Sequence, residues 1–418
     1  MNTEFQPDLS LEQWSAAISK ELKGAPLHSL DLHDACGIHQ PPYHKESKSL
    51  NLPSISAWYP LQTFSAIHPE ANQLVLESLM GGTIALGIDF THATSNDDWS
   101  CMQGVLVDVV SLHFTSFTLQ RWSTWKEYTQ KQGVDLKNTS GTLDLSLTAL
   151  SSEQMKTLID EKRTCALGWR FFSVHVSSHE TLHAHPMHEL AFLLRQAHEQ
   201  LITLMEHGAS LEEAASMISF RIEIGESYFM EMAKLRALRF MWSHVLKAND
   251  SEGYSAIETC ISARTSPYLQ TRQDPYNNLL RATTQSMSAI LGGAMHVEAL
   301  PYDYYTGNPT AHGYRMGRNI LQLLIEEGRI HEMVNAADGA YYIETLTEQL
   351  AEKSWAIFQS WDNGSMEEVR AQYHDASSAW MKSEKEHIEA GNKVIVGVNR
   401  YANLLVDLSD AKTTLRVS

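Results

Sequence analysis

The sequence lacks the features that mark secreted and membrane-spanning proteins. Its 418 residues include only 4 cysteines, which are widely separated and form no CxxC pair, as is typical of reduced thiols. No arginine precedes Arg121, and the N-terminus has neither a basic nor an apolar stretch. We therefore expect neither a secretory signal nor a mitochondrial presequence. The longest apolar run, Met80–Ile88, is far shorter than the ~20 residues of a membrane helix.

Basic residues are also scarce. The chain has 32 lysines and arginines against 50 acidic residues, which gives a formal net charge of −18. The electrostatic field of so acidic a protein repels nucleic-acid phosphates and anionic membranes. We predict a cytoplasmic protein with no nucleic acid and no membrane among its partners. A hydrophobic content of 43% is ample for a large core.

The fold class follows from the spacing of β-like runs, most of which are separated by helical patterns. Strands that alternate with helices form parallel sheets, and eight such units close a (β/α)8 barrel of the α/β class. The eight predicted runs are Thr83–Asp89, Val105–Val110, Thr142–Ser146, Arg170–Val176, Ile218–Ile224, Ala256–Arg264, Ala294–Leu300 and Met333–Ala337.

Three regions are predicted around this barrel. Residues 1–52 contain Pro41-Pro42 and few periodic apolar positions, and we interpret them as an extended N-terminal arm that contacts another subunit. Residues 53–390 form the barrel, and residues 391–418 form a C-terminal tail. Within the barrel, the helix from Met230 to Val245 is apolar on two sides and needs two partners, either a second subunit or other parts of this chain.

Two motifs identify a family. Residues Gly225–Arg239 read GESYFMEMAKLRALR, and residues Gln273–Arg281 read QDPYNNLLR. Both resemble motifs of the methylmalonyl-CoA mutase family, and the resemblance extends from Lys20 to Tyr401. It implies a TIM barrel and a radical rearrangement of methylmalonyl-CoA to succinyl-CoA with adenosylcobalamin. Supporting matches are Glu21–Leu27, Gly292-Gly293, Arg318-Asn319, Ala340–Ala351 and Val396–Asn399.

The cobalamin-binding domain of the family has no counterpart in the sequence. In the catalytic chain it follows the Val-Gly-Val-Asn motif, and the histidine of an Asp-x-His-x-x-Gly motif coordinates cobalt. The run from Asp31 through His33 to Gly37 has one residue too many and aligns with the family's N-terminal segment. The resemblance therefore predicts no C-terminal cobalamin domain and no cofactor bound by this chain, with adenosylcobalamin held by a large subunit.

The resemblance also assigns residues to the barrel mouth, where the family binds substrate. A Tyr-His pair of the family is matched by Ser178-His179, so we predict His179 to be a vestigial catalytic residue. Family residues that contact the substrate or cofactor are replaced at several other positions, whereas Asp303 is retained. The predicted substrate-mouth positions are Ser178, Met217, Ser262, Arg264, Glu298 and Asp303.

A competing motif overlaps this segment. His179–His183 spells HExxH, the zinc-protease signature in which two histidines on one helix bind the metal. Pro186 follows closely and disfavours the helix that this motif requires. We predict no dedicated metal site, and adventitious binding by the histidines between His175 and His188 stays an alternative.

These observations favour the small, non-cobalamin subunit of a heterodimeric methylmalonyl-CoA mutase. We expect the chain to be non-catalytic itself and to stabilise the large subunit, with a homodimer possible when it is isolated. The alternative is an active acyl-CoA mutase barrel that works with a separately encoded cobalamin-binding domain.

Overall fold

The computed structural model of the protein describes residues 10–33, 37–44, 50, 52–53, 57–176, 184–249, 258–333 and 335–402. The strands are β1 (Leu32–His33), β2 (His39–Gln40), β3 (Tyr59–Ser65), β4 (Ala85–Asp89), β5 (Ser111–Thr115), β6 (Ser140–Leu143), β7 (Gly168–Arg170), β8 (Phe172–Val174), β9 (Ile218–Ile224), β10 (Ile261–Thr265) and β11 (His296–Glu298). The helices are α1 (Leu11–Glu21), α2 (Ala71–Met80), α3 (Leu119–Lys131), α4 (Ser152–Thr164), α5 (Pro186–Glu206), α6 (Leu211–Ser216), α7 (Tyr228–Asn249), α8 (Asn277–Gly292), α9 (Ala311–Glu326), α10 (Tyr341–Ser360) and α11 (Met366–Glu389).

Strands β3 to β11 form one parallel sheet in the order β7-β6-β5-β4-β3-β11-β10-β9-β8. Only Phe171 separates β7 from β8, and its N–H donates to the carbonyl oxygen of Met217 at 2.9 Å. The two short strands are therefore halves of one barrel strand, paired with β6 on one side and β9 on the other. Eight strand positions close the ring, which confirms the predicted (β/α)8 barrel.

The individual strand predictions differ in outcome. Ile218–Ile224 is confirmed residue for residue as β9. Val105–Val110 is wrong, because this run forms turns and the strand β5 begins only at Ser111. Met333–Ala337 is also wrong, because its described residues form a bend and a turn. The first barrel strand, β3, was not predicted; its Pro60 is the second residue, and proline is tolerated at strand beginnings.

Helix α7 is covered by the chain's own helices. It packs against α5, α8 and α10, so both of its apolar sides have partners within the described structure. Even its charged residues Lys234, Arg236 and Arg239 are buried. The alternative of a second subunit as the partner of α7 is therefore not needed to explain its pattern.

The N-terminal region buries far fewer of its side chains than the barrel does. Helix α1 is well capped, since Ser10 and Gln13 form a reciprocal capping box, yet none of its described side chains is buried. The hairpin of β1 and β2 is attached to α10, where Gln349 bonds both backbone groups of His39. Within the described residues, no helix is long and apolar enough to cross a membrane.

Candidate functional site

The inner face of the barrel carries charged side chains on neighbouring strands. Strand β9 shows the pattern most clearly, because Phe220, Ile222 and Ile224 are buried towards the helices while Arg221 and Glu223 alternate with them. Each fully buried large apolar side chain on the outer face stabilises the barrel by about 1.5–3 kcal/mol. The alternation therefore assigns packing to one face of β9 and polar contacts to the other.

Arg264 and Glu298 lie side by side at the carboxyl ends of β10 and β11, where the register pairs them directly. The guanidinium of Arg264 donates from Nε and Nη2 to Glu223 Oε1 at 3.1 and 2.5 Å. Glu298 accepts from the Thr63 N–H at 2.6 Å and from its hydroxyl at 3.1 Å. Burial disfavours the charge of Arg264, but the Glu223 carboxylate outweighs it and raises the pKa of Arg264. The barrel's own carboxylates thus engage this cation.

A second group at the mouth is centred on Asp144, which follows β6. Its carboxylate accepts the backbone N–H groups of Ser116 and Phe117, both at 2.9 Å. Ser116 has a φ of 55°, and this left-handed conformation turns two consecutive N–H groups towards one anion. Arg221 lies farther away, with Nη1 3.9 Å from Asp144 Oδ2. Burial raises the pKa of Asp144, although these donors and Arg221 oppose the shift.

Two histidines fill the barrel interior below the mouth. The rings of His113 and His296 meet at an angle of 70° with their centroids 4.2 Å apart. Thr142 Oγ1 lies 2.9 Å from His113 Nδ1, and Ser262 Oγ lies 3.4 Å from His296 Nδ1. Burial lowers the pKa of both imidazoles, to about 3 for His296, and the nearby Arg170 lowers it further. Both rings are therefore neutral at physiological pH.

His175 lies at the end of β8, near the mouth. Burial lowers its pKa to about 3, with the charge of Arg221 as the second cause. Its Nδ1 is 3.0 Å from the carbonyl oxygen of Ser173, and since a carbonyl only accepts, the imidazole proton is on Nδ1. This fixes a neutral tautomer beside the arginines.

The predicted site residues are only partly brought together. Ser262, Arg264 and Glu298 share the barrel interior, whereas Met217 is fully buried directly before β9, at the opposite end of the strand from the mouth. Asp303 organises the loop before α9, where its Oδ2 accepts the N–H and the hydroxyl of Thr310 at 3.0 and 2.6 Å. The remaining two positions, Ser178 and His179, lie outside the described residues.

Sequence reasoning missed several other polar residues of the interior. These are His113, Asp144, Arg170, Arg221, Glu223 and His296. A signal was present in β9, where polar and apolar residues alternate with a period of two through an otherwise buried strand. That period could have placed Arg221 and Glu223 on one face of the strand, but the prediction was not made.

The histidine cluster predicted between His175 and His188 is divided by the fold. His185 caps the N-terminus of α5, where its Nδ1 accepts the Met187 N–H at 3.3 Å, and Pro186 is the first residue of that helix. The run His179–His183 lies outside the described residues, so the zinc alternative stays untested. In the part of the chain that the structure describes, no three metal-ligating side chains come together.

Comparison with known proteins places these features in a family. Residues 97–414 match the family described as methylmalonyl-CoA mutase. The chain is similar to the methylmalonyl-CoA mutase small subunit of Porphyromonas gingivalis (strain ATCC BAA-308 / W83), with 26% identity over 99% of this chain and 72% of that protein. It is also similar to the small subunit of Streptomyces virginiae, with 33% identity over 46% of this chain and 31% of that protein.

A third relative is the methylmalonyl-CoA mutase of Rhizobium meliloti (strain 1021), with 31% identity over 56% of this chain. The matched part spans only 33% of that relative's length, so the two proteins are compared over about a third of the longer one. The family match nevertheless covers most of the chain and includes the barrel strands from β5 to β11. The chain therefore belongs to the methylmalonyl-CoA mutase family.

Proposed function

We propose that this chain is the small, non-cobalamin subunit of a heterodimeric methylmalonyl-CoA mutase. The complex interconverts methylmalonyl-CoA and succinyl-CoA, and its large subunit holds the adenosylcobalamin. The chain itself is non-catalytic and stabilises the large subunit. The cytoplasmic location stays a prediction from the sequence.

The observation that carries this proposal is that carboxylates of the barrel already engage Arg264 and two backbone N–H groups at the mouth. A mutase must present cations and hydrogen-bond donors to the acyl thioester and carboxylate of its substrate. Here Arg264 is engaged by Glu223, and the N–H groups of Ser116 and Phe117 are engaged by Asp144. An incoming carboxylate would have to displace an intramolecular one, which favours a scaffold over a catalyst.

The names of two relatives support the partner assignment. The proteins of Porphyromonas gingivalis and Streptomyces virginiae are both named small subunits, and the former aligns with 99% of this chain. A small subunit implies a large one, and the family's reaction needs a cobalamin-binding partner if this chain does not supply one.

We assign the cofactor to the large subunit, as the resemblance to the family predicts, and derive no step of the reaction through this chain.

The N-terminal arm is our candidate for contact with the partner. Along α1 and its C-cap, Trp14, Ile18 and Leu22 follow one another at helical spacing and are only partly covered. A capped amphipathic helix that buries none of its described side chains on its own barrel is suited to packing against another subunit. The same surface accounts for a homodimer when the large subunit is absent.

Reconstituted turnover tests the proposal. The chain is assayed with methylmalonyl-CoA and adenosylcobalamin alone, then with a separate cobalamin-binding domain, and then with a candidate large subunit. We expect activity only with the large subunit. Activity with the cobalamin-binding domain alone would instead establish the alternative, an active barrel, and would make His179 the next residue to replace.

A variant of the arm separates assembly from folding. We expect Ile18→Glu to weaken the heterodimer by about tenfold or more, because it places a charge in an apolar contact. Its thermal unfolding should match that of the wild type, since α1 buries no described side chain. Glu12→Gln on the same helix is the matched control, and equal affinities of all three proteins would remove the arm from the interface.

A further inference from the structure

A cavity outside the barrel lies between helices α2 and α9. It has a volume of about 260 Å³, and its lining includes Leu74, Glu77, His312, Tyr314, Arg315 and Arg318. Three of these side chains carry nitrogen donors and one carries a carboxylate. The cavity is thus a locally basic site on a protein whose net charge is −18.

Arg318 is held rigidly at the edge of this cavity. Its Nη1 donates to the carbonyl oxygen of Glu77 at 3.0 Å, which caps the last turn of α2. The guanidinium packs against Gly81, where an added Cβ would be 2.3 Å from both Cζ and Nε. Its Nε is buried and has no hydrogen-bond partner among the described residues. The cation is therefore fixed before any ligand arrives, which lowers the entropy cost of binding.

Arg315 and His312 supply the other donors. Nη2 of Arg315 lies 3.2 Å from Nδ1 of His312. Because a guanidinium only donates, Nδ1 is the acceptor, and the neutral ring carries its proton on Nε2. That Nε2–H is then a donor in its own right. Neither Arg315 nor Arg318 has a carboxylate within ion-pair distance in the described parts of the chain.

The charges of the cavity favour an anion between the two arginines. Burial lowers the pKa of Arg318; Glu77 partly offsets this effect, and the like charge of Arg315 adds to it. The Glu77 carboxylate is itself engaged by the Gln73 side chain at 2.9 Å. An anion that contacts both guanidinium groups would relieve their repulsion and gain charge-assisted hydrogen bonds.

We propose that this cavity binds a phosphate group, either free phosphate or the phosphate of a small organic molecule. Two guanidinium groups and an imidazole N–H match the several acceptor oxygens and the double charge of a phosphate better than the single charge of a carboxylate. Leu74 and Tyr314 add an apolar wall that suits an organic portion. The cavity lies outside the barrel, so the inference does not depend on the proposed function.

Calorimetric titration at constant ionic strength tests this site on the full chain. The probes are inorganic phosphate, phenyl phosphate and, as the matched carboxylate, benzoate. We expect saturable one-to-one binding of both phosphates and at least tenfold weaker binding of benzoate. Tighter binding of phenyl phosphate than of phosphate would identify an organic ligand, and equal binding would identify free phosphate.

Substitutions of residues that line the cavity test whether phosphate binds there. Arg315→Gln should weaken phosphate binding by about tenfold, because it removes one charge-assisted contact while glutamine keeps the helix propensity of arginine. His312→Ala should weaken it by about fivefold through loss of the neutral donor. Arg370→Gln, an exposed change on α11, is the control and should bind as the wild type.

The proposal is overturned if neither phosphate binds saturably, if benzoate binds as tightly as phenyl phosphate, or if Arg315→Gln binds phosphate as well as the wild type. All three variants should keep the thermal unfolding of the wild type, since Arg315, His312 and Arg370 are exposed. A loss of binding with a retained fold therefore reports on the site itself.

Discussion

Helix α7 carries three buried cationic side chains and the barrel interior holds three partly buried ones, and the two sets differ in how completely they are paired. On α7 they are Lys234, Arg236 and Arg239, and in the interior they are Arg170, Arg221 and Arg264. Lys234 contacts Glu189 at 2.9 Å and Glu231 at 2.6 Å. Arg221, in contrast, is 3.9 Å from Asp144, and Arg170 has no carboxylate within ion-pair distance in the described structure. The helix network is therefore the more closely paired of the two, although Arg239 donates to backbone carbonyls, and the interior network is looser, although Arg264 is paired with Glu223.

This difference explains which residues carry the resemblance to the family. The motif on α7 includes Lys234, Arg236 and Arg239, and each of them holds neighbouring parts of the fold together. Arg236 pairs with Asp338 and Glu344, and Arg239 donates to two backbone carbonyls. The motif that names the family is thus a scaffold motif. The residues that would distinguish a catalyst are those of the mouth.

The largest loss of folding stability is expected in the α7 network, where Lys234 pairs with Glu189 and Glu231. Lys234→Met removes the cation shared by Glu189 and Glu231 and leaves two buried carboxylates without compensation. We expect a loss of about 3–5 kcal/mol in the free energy of unfolding, because an unpaired buried charge costs more than its pair contributes. Urea denaturation monitored by circular dichroism measures the change.

A triple variant distinguishes lost pairing from poor packing at this position. Lys234→Met combined with Glu189→Gln and Glu231→Gln removes all three charges, and we expect it to recover part of the lost stability. If the triple variant is less stable than Lys234→Met alone, the charges are not the cause and the pairing explanation is wrong.

A smaller loss of folding stability is expected on replacing Arg264, the paired cation of the mouth. Arg264→Met leaves Glu223 and Glu298 without their shared neighbour, but the Arg264 side chain is 22% exposed and water can reach the site. We expect a loss of about 1–3 kcal/mol, as for a hydrogen-bonded charge that is only partly buried. Arg264→Lys is the control and should lose less, because it keeps the charge. Equal losses in both variants would show that the two-donor geometry of the guanidinium, and not the charge, determines stability.

The interior histidines predict a loss of stability in acid. Their folded pKa values lie below the unfolded value of about 6.5, so the unfolded chain binds more protons between pH 6.5 and about 3. The stability that the two neutral histidines contribute to the folded protein is complete above pH 6.5 and is lost as the pH falls. Denaturation of His296→Gln at pH 4 to 6 should show a pH slope about 1.4 kcal/mol per pH unit shallower than the wild type. An unchanged slope would mean that His296 does not remain neutral in the folded protein.

The sequence predicted the barrel but not its exact strands. Strand β9 could be predicted because its period of two is uninterrupted, whereas Val105–Val110 misled because its buried valines pack in turns that look like a strand. For the site, Arg264 and Glu298 were placed by resemblance, and their neighbour Glu223 was not. A pair that joins different strands depends on register, which a single strand's sequence does not contain.

The smallest loss of folding stability is expected at the pair of Arg221 and Asp144. This test sharpens the contrast with α7. In Arg221→Met, Asp144 keeps its two backbone donors at 2.9 Å, so its charge remains compensated after the cation is removed. We expect less than about 1 kcal/mol of destabilisation in the same urea assay, as for partly solvated ion pairs. Asp144→Asn should cost more than Arg221→Met, because it places an amide where the N–H groups of Ser116 and Phe117 need an acceptor on each side. If Arg221→Met instead costs more stability than Asp144→Asn, then Arg221, and not the backbone, holds Asp144. The interior network would then be as closely paired as that of α7.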